Sequence, residues 1–170
     1  VLAITSSDPV SVENIRAIIG GQSVKWMMKR DQNAERPLFT TDDLSLNSLM
    51  QYSIFLKGWY DGLPSGTRLR STNGIYRGVA FTNTCLLNIY EAVAASFIPG
   101  FTKKDLVLEI GDSSNLIPDT SYATREQWYK NHSYNYDMII PANQCGRLYD
   151  YILEDLNRYS GYVGRIERRS

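Results

Sequence analysis

Apolar positions recur at helical spacing in the first third of the chain and gather into short runs in the rest. Asp8-Pro9 reads as a helix cap with proline at the first helical position, and Val12, Ile15 and Ile19 follow on one face before Gly20-Gly21 ends it. Lys25 to Arg36 mixes Trp26, Met27 and Met28 with charge, as a short helix or an irregular loop, and Pro37 closes it. Thr41 with Asp42-Asp43 predicts a second helix start, and Leu46, Leu49, Met50 and Phe55 carry its apolar face to about residue 57. Gly58, Gly62, Pro64 and Gly66 then crowd together, the chemistry of a turn.

Gly74 to Phe81 predicts a strand, after which Thr82-Asn83-Thr84 caps a helix with Leu86, Tyr90, Val93 and Phe97 on one face, broken at Pro99-Gly100. Leu106 to Ile110 and Tyr136 to Ile140 predict buried strands, the second stopped by Pro141. Between them, Pro118 to Ser133 predicts a long loop with a helical turn near Arg125 to Lys130. Tyr149, Ile152, Leu153 and Leu156 form an amphipathic stripe, one helix or two strands, and Tyr162 to Ile166 a last edge strand. Helices precede strands rather than alternating with them. The predicted class is α+β: N-terminal helices, then a mixed, mostly antiparallel sheet core with one inserted helix, in a single domain spanning 1–170.

Composition narrows the function without naming it. The hydrophobic share of 43% and charged share of 21% are those of a soluble globular chain. Zero formal net charge removes the long-range field that steers a protein to nucleic acid or anionic membrane, so neither is an expected partner. No run has the length of a membrane-spanning helix, and no signal peptide is evident. A soluble chain that is secreted, injected or virion-borne fits equally well. Tyrosine is abundant at 12 residues, many between Tyr122 and Tyr162, which suits either a core margin or a surface for self-association. Cys85 and Cys145 form no framework and read as free thiols or one disulfide, and the single histidine, His132, cannot build a zinc site.

Common catalytic signatures are missing. There is no phosphate-binding GxxxxGK[ST], no strand-following GxGxxG, no HExxH and no GxSxG. What remains is an ordered set of strands, each with one polar group: Ile75-Tyr-Arg-Gly-Val79, Leu106-Val-Leu-Glu-Ile110 and Asp137-Met-Ile-Ile-Pro141. A forked guanidinium binds a pyrophosphate, and a carboxylate beside a ribose stabilises the cation that forms when a nicotinamide bond breaks.

The three segments resemble the strands of the mono-ADP-ribosyltransferases of bacterial toxins and phages over roughly residues 41 to 153, where an arginine lies in a YRG strand and an acid opens a strand like E-V-L-L-P. That resemblance implies NAD as substrate, a protein target, Asp137 as the catalytic acid, and Arg77, Gly78, Thr82, Thr84 and Tyr136 around the cofactor. It also implies a helix ending at Tyr52-Ser53 ahead of the arginine strand. The sequence departs from the family pattern in three places. Asp137 is one methylene shorter than glutamate, Asn135 stands where a second acid belongs, and the serine-rich motif has only Thr82-Asn-Thr84 as a counterpart. If those residues are that motif, the arginine lies upstream, at Arg68 or Arg70. Arg77 otherwise reads as a strand arginine packed on Tyr76, Asp137 as a turn carboxylate and Glu109 as a solvent-facing acid. The competing expectation is a non-enzymatic structural or assembly protein that self-associates.

Overall fold

The computed structural model describes residues 1–6, 50–72, 74–118 and 122–167. The helices expected between residues 8 and 49 lie outside the described residues. Within them the strands are β1 (Leu2–Ser6), β2 (Tyr52–Lys57), β3 (Gly66–Thr72), β4 (Ile75–Cys85), β5 (Leu106–Glu109), β6 (Ser133–Ile139) and β7 (Tyr162–Ile166). The α-helices are α1 (Leu86–Phe97), α2 (Tyr122–His132) and α3 (Leu148–Tyr159), with 3₁₀ turns at Lys103–Asp105 and Ala142–Arg147. The class is α+β, as the pattern predicts.

Two sheets form. One has the order β5-β1-β7, with β1 parallel to β5 and antiparallel to β7. The other has the order β2-β6-β4-β3 and is antiparallel throughout. Leu2, Ala3 and Ile4 are all fully buried, so β1 is covered on both faces, which is why its sequence shows no alternation. Helix α1 packs on β1, β4, β7 and α3. Leu86, Ile89, Tyr90 and Val93 meet Ile152 and Leu156 of α3 and Val79, Phe81, Tyr136 and Met138 of the larger sheet in one core. No helix among the described residues is long and apolar enough to cross a membrane.

Three expectations are corrected and one open alternative is decided. Tyr52–Lys57 is a strand rather than the end of a helix. Its Phe55 pairs with Tyr136 across the sheet and packs within 5.6 Å of both Tyr134 and Tyr136, and such cross-strand packing outweighs a helical spacing built on few apolar residues. Thr82, Asn83 and Thr84 continue β4 instead of capping α1, whose cap position is Cys85 with no side-chain bond. Asn83 has φ 44, and it sits where β4 carries an extra residue against β6. Residues 122–132 extend the helical turn expected near Arg125 to Lys130 into a full helix where a long loop was expected, and 148–159 form one helix, the first of the two readings of that stripe. Strands and helices therefore interleave in the described chain, beginning with a strand at Leu2 that periodicity did not mark.

The joint between α3 and β7 is built by Asn157 and Tyr90. The Asn157 amide accepts from the Gly164 nitrogen at 2.7 Å and donates to the Gly164 carbonyl at 3.0 Å. Tyr90, fully buried on α1, donates its hydroxyl to the Tyr162 carbonyl at 3.1 Å. A Cβ at Gly164 would sit 2.5 Å from the Tyr90 ring, so this strand needs glycine for close approach.

Burial pushes the Tyr90 phenol up to about 12, against about 10 in an unfolded chain. The folded state holds that proton more tightly, so the contribution is complete below pH ~10 and is lost as pH rises towards ~12. Stability is expected to fall through that window by about 2–3 kcal/mol from this residue. Tyr90→Phe should flatten the decline and cost about 1–2 kcal/mol at neutral pH, read from urea unfolding at each pH.

Candidate functional site

The polar groups the sequence singles out converge on β6, an inner strand buried almost throughout. Alternation divides it. Tyr136 and Met138 join the main core, while Asn135, Asp137 and Ile139 turn to the opposite face. Asp137 is fully buried there, and its partner is Arg70. The guanidinium donates from Nε to Oδ1 at 2.8 Å and from Nη2 to Oδ2 at 2.9 Å, a two-pronged pair with both side chains buried.

Arg70 lies on β3, and β4 stands between β3 and β6. The residue of β4 that pairs with both Arg70 and Ile139 is Gly78. A Cβ there would run into the Met138 carbonyl and lie 3.3 Å from Arg70 Cδ. The bare glycine leaves the lane by which the arginine stem crosses to the carboxylate. The glycine of the Tyr-Arg-Gly run thus serves an arginine on the neighbouring strand.

Arg77 is half-buried and differently placed. Its Nε donates to the Ile140 carbonyl at 2.9 Å, and its own carbonyl accepts from the Ile140 nitrogen at 2.9 Å. The β4–β6 register continues Gly78↔Ile139 to Arg77 opposite Ile140, in the alternation of Val79 and Met138, whereas Asp137 lies opposite Ala80. The structure therefore brings Arg70, not Arg77, to Asp137.

The other predicted residues are also engaged within the protein. Thr82 is buried and donates to the Pro64 carbonyl. Thr84 accepts from the Asn88 side chain at 3.1 Å. Asn83 accepts from the Tyr60 nitrogen and donates to the Tyr60 and Leu63 carbonyls, while Asn135 accepts from the Asn83 nitrogen and donates to the Gly58 carbonyl. These two asparagines pin the glycine-rich turn to the sheet. Tyr136 points to the core side, where its hydroxyl donates to Asp155 at 2.8 Å, and burial and that carboxylate hold the phenol well above the ordinary tyrosine range. Ser53 donates to the same Asp155 oxygen at 2.7 Å.

Glu109 is exposed and ion-paired with Arg165. Both cysteines are free, and burial pushes the Cys85 thiol up, away from the reactive thiolate. His132 stacks on Trp128 at 4.5 Å and bonds the Trp128 carbonyl through Nδ1. No group of three metal-ligating side chains occurs among the described residues. Comparison with protein-family models, curated proteins and solved structures found no match to this chain.

Sequence reasoning named Arg70 only as an alternative and did not single out Asp155 or Ser53. The Arg68-x-Arg70 alternation opposite a glycine-bearing strand was the available signal for Arg70. Asp155 had none, because its partners come from distant strands.

Removing one member of a buried ion pair strands the other's charge, at a cost of about 3–5 kcal/mol, whereas replacing both with apolar groups is often nearly neutral. Asp137→Asn and Arg70→Met are each expected to destabilise by that order. The Arg70→Met/Asp137→Leu double variant should recover at least half the loss in denaturant unfolding.

Proposed function

We propose that this chain is a non-enzymatic structural or assembly module that associates with itself through the β3–β4 hairpin. The observation that carries the reading is the exposure of that hairpin's apolar side chains: Leu69 at 46%, Ile75 at 44% and Tyr76 at 60%. Leu69 pairs with Val79 and Ser71 with Tyr76, so Leu69 and Tyr76 share a face. β3 also ends its sheet among the described residues. A sheet edge bearing grouped apolar side chains is a template for association, and tyrosine is enriched at such contacts.

The burial of Asp137 favours this reading over transfer of ADP-ribose from NAD to a protein. A carboxylate that stabilises a sugar cation must reach the sugar, and this one is enclosed with an arginine on both oxygens. Self-association needs no such group.

Size-exclusion chromatography with light scattering over a range of concentrations is the test. The native chain is expected to show a species larger than the monomer that grows with concentration. Leu69→Lys/Tyr76→Lys should remain monomeric with an unchanged unfolding midpoint. A native chain that stays monomeric and cleaves NAD, with cleavage lost in a folded Asp137→Asn variant, would overturn the reading in favour of the transferase.

A further inference from the structure

On the core side of the larger sheet a cleft of about 290 Å³ opens beside α3. Met138 and Ile140 give it an apolar floor, and Tyr151, Glu154 and Asp155 of α3 form one wall. Asp155 is held from below. The Tyr136 and Ser53 hydroxyls both donate to its Oδ2, at 2.8 and 2.7 Å, and fix the plane of the carboxyl group. Its Oδ1 receives no hydrogen bond among the described residues. Nor is it sealed from solvent, for the buried unpartnered side-chain oxygen among those residues belongs to Glu91. Oδ1 is therefore an oriented acceptor on the cleft wall.

No cation is in contact with Asp155 among the described residues. Arg158 also lines the cleft, within electrostatic reach of Asp155 and Glu154, but it makes no ion pair with either among the described residues and lies 5.7 Å from the Tyr159 ring centre. Arg147 stands over the Tyr151 ring and reaches Glu154 only at 3.9 Å. An oriented carboxylate above an apolar floor suits a ligand with a cationic head and a hydrocarbon stem. Charge-assisted hydrogen bonds would hold the head, and burial of the methylenes would hold the stem.

We propose that this cleft binds an alkylammonium group, with its nitrogen on Asp155 Oδ1, Glu154 beside it and its stem on Met138 and Ile140. A free primary amine and a lysine side chain of another protein share that chemistry.

Titration of the full chain with n-butylammonium, followed by NMR of the Met138 methyl and the Tyr151 ring, tests the assignment. Saturable shifts in the millimolar range are expected, with n-butanol at least about tenfold weaker, and with affinity falling as salt is raised. Asp155→Asn keeps an oxygen for Tyr136 and Ser53 and removes the charge, so it should retain its unfolding midpoint and bind about tenfold more weakly. Glu154→Gln, at an exposed position, should weaken binding about threefold and serves if Asp155→Asn fails to fold. Equal binding of n-butanol and n-butylammonium, no saturable shift, or unchanged affinity in both variants would overturn the proposal. Nα-acetyl-lysine methylamide separates the sources. Tighter binding than n-butylammonium points to a protein lysine, and equal or weaker binding to a free amine.

Discussion

An inner strand that carries polar side chains must satisfy them inside the protein, and β6 carries several. Every residue of Ser133–Ile139 but Tyr134 is buried. A carboxylate left there without its cation would cost about 3–5 kcal/mol, and Arg70 offsets that cost with matched geometry. That requirement propagates outward. Arg70 must cross β4, so β4 must offer a residue without a side chain at the crossing, and β3 must hold the register that places Arg70 opposite it. Sheet order, register and composition are coupled through one buried pair. The bulge between Arg70 and Ser71 lies just past that pair, where the constraint ends.

The same logic applies to Asn135. An amide on an enclosed strand must spend both its donor and its acceptor, and here it does so on the Gly58 carbonyl and the Asn83 nitrogen. Asn83 adopts a left-handed backbone that asparagine accepts more readily than most residues. The glycine-rich turn before β3 is therefore fixed from the sheet side, although its own sequence speaks for flexibility.

What periodicity could reveal follows from which forces acted locally. The apolar runs at β4, β5, β6 and β7 and the α1 face at Leu86, Tyr90 and Val93 were legible, because burial of those residues decides their conformation. The Tyr52–Lys57 strand was not, since only its partner on β6 distinguishes it from the end of a helix. α2 was nearly illegible for the opposite reason: Tyr122–His132 has almost no apolar stripe to detect. At the candidate site, the sequence marked Asp137 and Gly78 as notable, and the two do belong to one assembly. It paired them with Arg77 through the resemblance to a YRG strand, with Arg68 or Arg70 as the alternative, and the sheet order hands the task to Arg70 on the next strand over.

β4 passes into α1 with no linking residue, Cys85 ending the strand and Leu86 beginning the helix. Strand and helix consequently follow one another without a loop, the bulge at Asn83 lying between the hairpin and the helix that packs Ile89, Tyr90 and Val93 into the core. A loop would absorb a tug at the hairpin tip as slack. Here no loop lies between strand and helix, and a displacement of the strand beyond the bulge is passed through the backbone to a helix packed in the core.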